Sequence, residues 1–205
     1  MTTICLVVLA GSHDEVQLTP AVTKAVDELV VVVNPKAQFG GMGTIANRVL
    51  TRTKCDVFGM IHADTTWWTG DVARLAEVTA EGHIAGIVGC ALEPQPYGDS
   101  YIVWGHKLPA GKAVEVSTLD ACSIFMRPDA GVTFDEVTFP SFHCCVEDVC
   151  LTGLANGIKT MVPDVKAVHI GTRHENPGAW VAEFHDYRRK LVEKHKGVFF
   201  RTTTG

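Results

Sequence analysis

The chain has 205 residues, of which 46% are hydrophobic and 20% charged, with 19 glycines, values that fit one globular domain and exclude a disordered or fibrous protein. A formal net charge of -5 argues against a general phosphate-backbone binder, which would carry a basic stripe. The seven cysteines are odd in number and form no Cys-x-x-Cys pair, so neither a disulfide framework nor a zinc knuckle follows, and a reducing cytoplasm is the expected location.

Ile4 to Ala10 is the longest apolar run. It is far shorter than the ~20 residues that cross a bilayer, and it lacks the basic flank and cleavage site of a signal peptide, so no transmembrane segment is expected. It reads instead as a strand buried on both faces, as does Leu29–Asn34. Between them Thr19-Pro20 opens a short helix, a capping hydroxyl followed by proline in the first turn. Phe39-Gly40-Gly41-Met42-Gly43 is a glycine-rich turn. A helical pattern through Ile45, Val49 and Leu50 follows it, then a third strand over Asp56–His62. This alternation predicts an α/β fold with a mostly parallel central sheet flanked by helices, whose ligands bind at the carboxyl ends of the strands.

The spacing then predicts a helix from about Asp71 to Glu81 and a strand over Ile84–Cys90. Glu93 to Gly111, with its prolines and glycines, is an irregular excursion with a short strand around Tyr101–Trp104. Strands follow at Val114–Thr118 and Cys122–Met126, then an irregular run through Pro140. A helix is expected from about Val146 to Asn156, stopped by Gly157, with strands at Lys159–Val162 and Ala167–Ile170 and a final helix from about Pro177 to His195. The cationic cluster of Arg188, Arg189, Lys190, Lys194 and Lys196 reads as a solvated face of that helix.

Three groups of residues can carry chemistry. His62-Ala63-Asp64-Thr65 stands where the third strand ends. A carboxylate and an imidazole there either hold a divalent cation against a diphosphate, or serve as a turn cap and a hydrogen-bonded core histidine. Glu147 and Asp148 are adjacent carboxylates at a helix start. Such a pair is either first-turn capping chemistry or, in a crevice, a base for an attacking hydroxyl. His169 ends a short strand, where it is either a structural histidine or a ligand completing a site begun by Asp64. Trp67, Trp68 and Trp104 either simply pack or, on the resemblance given below, lie near the crevice and stack on sugars. The vicinal Cys144-Cys145 pair reads as buried packing.

The order and spacing of these groups, from about Leu6 to His169, resemble those of the family 2 glycosyltransferases. Gly40, Gly41 and Gly43 precede Ala46-Asn47-Arg48; a strand ends in Met60-Ile61-His62-Ala63-Asp64-Thr65, similar to an Asp-x-Asp motif; and Leu119-Asp120-Ala121-Cys122-Ser123-Ile124-Phe125-Met126-Arg127 resembles the family's arginine-terminated strand. Phe134-Asp135-Glu136, the acidic pair at 147–148, Leu154-Ala155-Asn156-Gly157-Ile158-Lys159, Val162-Pro163-Asp164 and His169 follow in the family's order.

The resemblance implies a GT-A-like nucleotide-diphospho-sugar transferase fold over 1–205, with a nucleotide-binding half at about 1–90, an acceptor and catalytic half at 91–172 and a C-terminal helix and tail at 173–205. It implies Ala10, Gly11, Asn34, Asn47, His62 and Asp64 as donor-binding residues, Asp64 and His169 as ligands of Mn2+ or Mg2+, and Asp148 as the base, with Glu147 its neighbour. The implied reaction is inverting, metal-assisted transfer of one sugar from a nucleotide-diphosphate sugar to a hydroxyl of a glycan, metabolite, protein or modified nucleic acid. Two features depart from the family. His62 replaces the first carboxylate, resembling the His-x-Asp form of a small branch related to streptomycin-biosynthesis glycosyltransferases, and Asn34 stands where an aspartate is usual. Two other readings remain: a sugar-nucleotidyltransferase, suggested by Leu9-Ala10-Gly11, and a non-catalytic nucleotide-sugar or glycan-binding module.

Overall fold

A computed structural model describes residues 2–10, 20–34, 40–96, 98–170 and 177–203. Gly11, Thr19 and Phe39, each invoked above, lie outside the described residues. In chain order the elements are β1 (Ile4–Ala10), α1 (Pro20–Thr23), β2 (Glu28–Val33), α2 (Met42–Leu50), β3 (Val57–His62), β4 (Thr65–Thr66), α3 (Asp71–Ala80), β5 (Ile84–Ala85) and β6 (Val88–Cys90). They continue with β7 (Gly98–Asp99), β8 (Ile102–Trp104), a 3-10 turn at Gly105–Lys107, β9 (Ala113–Val116), β10 (Thr118–Leu119), β11 (Ser123–Met126), α4 (Cys145–Ala155), β12 (Thr160–Pro163), β13 (Val168–His169) and α5 (Pro177–Lys194).

The central sheet has seven strands in the order β2-β1-β3-β11-β5-β12-β9. β2, β1 and β3 are mutually parallel, β11 is antiparallel to both β3 and β5, β12 is parallel to β5, and β9 is antiparallel to β12. Five strands therefore share one direction, and β11 and β9 oppose it. The strands alternate their apolar side chains between the two faces, as pleating requires. Val7, Leu9, Phe58, Met60, Ile124 and Met126 pack with residues of α2, α4 and α5 on one face, while Leu6, Val8, Ile61 and Phe125 pack with Val22 of α1 and with α3 on the other.

Two expected strands are broken rather than continuous. Ile84 and Ala85 belong to the central sheet, whereas Val88–Cys90 pair in a four-stranded sheet of order β10-β6-β8-β7. The break falls at Gly86, where a Cβ would lie 2.9 Å from the Leu119 methyls and from the Ser123 carbonyl oxygen; the Ser123 hydroxyl then accepts the Ile87 N–H at 2.9 Å. Likewise 114–118 divides at Ser117, whose N–H and hydroxyl both donate to the Cys90 carbonyl. An apolar run shows that residues are buried, but it does not show that one sheet holds them all.

Candidate functional site

The register of the parallel strands sets Ala10 opposite Val33, and Leu9 opposite His62, so the carboxyl ends of β1, β2 and β3 form one rim. Asp64 lies in the turn from β3 to β4. β13 then pairs antiparallel with β4, placing His169 opposite Thr65, and the Ile170 N–H donates to the Asp64 carbonyl at 3.0 Å. This small ribbon brings His169 Nε2 to 3.2 Å from Asp64 Oδ1. The His62 ring stands edge-on to His169 with centroids 5.7 Å apart, and its buried Nε2 has no hydrogen-bond partner. One ligand atom from each of His62, Asp64 and His169 falls within 4.8 Å of the others.

Asp120 joins this group, although the motif reading assigned it no role. β11 runs antiparallel to β3, so the residues just before it arrive at the same rim: the His62 N–H donates to the Cys122 carbonyl at 3.0 Å. Asp120, Cys122 and His169 form a second set of ligand atoms within 4.8 Å of one another, sharing His169 with the first. Asp120 Oδ1 accepts the Cys122 N–H at 2.9 Å, and Oδ2 accepts the Thr203 hydroxyl at 2.9 Å. An acid at the start of a strand antiparallel to the Asp64-bearing one was the available signal.

The charges are coupled. The hydrogen bond from His169 and its charge hold the Asp64 carboxyl below its ordinary range. Burial would lower His169, yet its bond to Asp64 and the pull of Asp64 and Asp120 raise it. Burial, reinforced by His169, lowers His62 and favours its neutral, ligand-competent form. Imidazole and carboxylate are a donor set suited to a divalent metal ion, and the orphaned His62 nitrogen gives that group a donor which the protein itself does not use. Asp64, His169 and His62 therefore fit a divalent cation.

The acidic pair sits differently. Asp148 is 1% exposed in its side chain; Lys194 Nζ lies 2.9 Å from both of its oxygens and His195 Nε2 lies 2.7 Å from Oδ1. Lys194 also reaches Asp135 at 2.8 Å. Lys194 is exposed on the helix face, as expected, but its ammonium also turns in to these two aspartates, so the last turn of α5 covers Asp148. Glu147 is 5% exposed and its Oε2 has no partner. Burial, with the nearby negative charges of Asp120 and Asp148, pushes it up to about 8.

Asn34 is buried, and its amide donates to the Gly40 carbonyl at 2.9 Å, tying the end of β2 to the glycine segment. There Gly41 passes so close to the chain before α4 that a Cβ would lie 2.2 Å from the Pro140 carbonyl oxygen. Asn47 is committed to a brace. Its Nδ2 donates to the Phe134 carbonyl and Glu136 Oε1 at 2.8 and 2.7 Å, while its Oδ1 accepts the Phe134 N–H at 3.0 Å. Trp67 is a core residue, 4% exposed with its ring 6.3 Å from that of Phe125, whereas Trp68 is 43% exposed. Cys144 and Cys145 are buried free thiols, and Cys144 takes a left-handed conformation with φ 60° at the N-cap of α4.

No known protein family and no curated protein matches the sequence. Among solved structures, the fold is similar to that of glucosyl-3-phosphoglycerate synthase from Mycobacterium tuberculosis, solved in complex with Mn2+, UDP-glucose and phosphoglyceric acid, at 14% identity and a TM-score of 0.51, covering 94% of this chain and 80% of that one. The A197 protein from STIV matches at 14% identity and a TM-score of 0.49, covering 83% of this chain and 86% of that one. The chain has a GT-A-like α/β fold. No described helix is long and apolar enough to cross a membrane.

Proposed function

We propose that this protein transfers a sugar from a nucleotide-diphosphate sugar to an acceptor hydroxyl, in the manner of the family 2 glycosyltransferases. The observation that carries the reading is the Asp64, His169 and His62 group at the carboxyl rim of β1, β2 and β3, the place where open α/β sheets bind ligands. The structurally similar synthase was solved with Mn2+ and UDP-glucose, which supports a donor and a divalent cation of this kind. Asp64 and His169, with His62 beside them, would hold Mn2+ or Mg2+. The cation would supply charge stabilisation for the departing diphosphate.

The chain's own residues do the rest. The rim of Ala10 and Asn34 receives the nucleotide, and Asn34 fixes the glycine segment that borders it. The acceptor attacks the anomeric carbon in line with the departing diphosphate, which inverts the configuration there, and a carboxylate of the crevice takes its proton, a contribution of ~100- to 10,000-fold in rate. The resemblance gives that part to Asp148 beside Glu147; Asp120 is the other carboxylate in place.

The test is release of nucleoside diphosphate from a panel of nucleotide sugars, with and without Mn2+. Metal-dependent release from one donor is expected, reduced on the order of 1,000-fold in Asp64→Ala. Donor binding without any release from any donor would favour a non-catalytic binding module instead.

A further inference from the structure

Three carboxylates could meet an acceptor, and they differ in access. Asp148 is sealed beneath Lys194 and His195, with both oxygens engaged by the Lys194 ammonium and Oδ1 also by His195 Nε2. Glu147 is buried behind the start of α4. Asp120 alone of the three is partly exposed, and its carboxylate shares a ligand-atom cluster with His169. A hydroxyl held by Asp120 therefore lies beside the group that would meet the donor diphosphate.

The structure already shows such a hydroxyl. The Cys122 N–H bonds Oδ1 and fixes the plane of the carboxylate, while Oδ2 accepts an alcohol proton from Thr203. That alcohol belongs to a tail laid over the four-stranded sheet. The Arg201 N–H donates to the Ser117 hydroxyl at 3.2 Å, the Thr118 hydroxyl donates to the Arg201 carbonyl, and the Arg201 guanidinium lies 3.7 Å from the centroid of the Tyr101 ring. The tail has its own attachments, so the bond between Thr203 and Asp120 can open without undocking it.

Resting on the function proposed above, we infer that Asp120 is the catalytic carboxylate that holds the acceptor hydroxyl, and that the Thr203 hydroxyl keeps this place until the acceptor arrives. In the transfer, Asp120 Oδ2 takes the acceptor proton as the acceptor oxygen bonds to the anomeric carbon. The bond from that carbon to the diphosphate oxygen breaks, and its electron pair stays on the diphosphate. Asp148 is then a positioning residue that holds α5 against α4.

The experiment measures diphosphate release from the donor panel with Mn2+, glycerol being added as a hydroxyl probe, in the wild type and in Asp120→Asn, Asp148→Asn and Thr203→Val. Mn2+ and donor affinities are followed by calorimetry. Asp120→Asn should lower release at least ~100-fold while changing both affinities by less than about threefold, since the residue acts on the proton and not on the donor. Thr203→Val should raise release in glycerol roughly 3- to 10-fold, the worth of one competing hydrogen bond, a gain that misfolding cannot mimic. Release that survives in Asp120→Asn and vanishes in Asp148→Asn would overturn the inference, as would loss of Mn2+ binding in Asp120→Asn, which would make the residue a metal ligand. No release by the wild type from any donor would overturn the proposed function itself, and the inference with it.

Discussion

Two acidic regions lie on this fold, and they spend their charge in different ways. At the rim of β3 and β11, Asp64 and Asp120 are partly exposed and bonded to groups that can let go: the His169 ring and a threonine hydroxyl. At the seam of α4 and α5, Asp148 is enclosed, paired with Lys194 at 2.9 Å and in contact with His195 Nε2 at 2.7 Å. Sequence presents both as acids near strand or helix ends. What separates a reactive carboxylate from a structural one here is the chain that covers it, and the cover of Asp148 comes from about fifty residues downstream.

The contrast is broken most forcefully at the seam. Asp148→Ala should cost about 3 kcal/mol of stability, the low end for removing one partner of a buried charge pair, because Lys194 keeps Asp135; urea unfolding checks it, and a cost below about 0.5 kcal/mol would mean that Asp148 is not the clasp described. Gly41→Ala tests whether the two regions share one scaffold, since a Cβ there would run into the Pro140 backbone just before α4. A loss of about 2 kcal/mol is expected, read from the melting temperature.

Glu147, which lies between the regions, gives the most pH-dependent effect. Its folded value of about 8 stands above the ordinary 4.5, so between these pH values the folded state keeps a proton that the unfolded chain has lost. Stability from this group therefore falls as pH rises through that window. Glu147→Gln should gain stability on the wild type by about 1 kcal/mol for each unit of pH between 5 and 8. Denaturation midpoints at the two pH values decide, and a gap that does not widen with pH would show that Glu147 is ionised in the fold.

Much of this was legible beforehand because periodicity and burial are local. The runs at Ile4–Ala10 and Asp56–His62, the helix stops at Gly157 and near Glu81, and the rim position of Asp64 all follow from neighbouring residues. The roles that were not legible depend on chain brought from elsewhere. Asn47 matches a glycine-segment pattern, yet Phe134 and Glu136 use up its amide. Lys194 has the spacing of a surface cation and turns inward to two aspartates. Trp67 directly follows β4 and faces the α3 side of the core. The split of 84–90 between two sheets needed the close passage at Gly86, which no window of ten residues contains.

The antiparallel strand β11 joins the β2-β1-β3 half to the β5-β12-β9 half, and its partner β3 lies some sixty residues earlier in the chain. Closing so long a loop must precede the reward of pairing, which makes this step a slow one in folding. Asp64, in the turn after β3, and Asp120, just before β11, come to one rim only when this pairing forms. The Gly59 and Phe125 pair, where a Cβ would come within 2.5 Å of the ring, is then the contact at which the two halves find their register, and refolding kinetics should be most sensitive there.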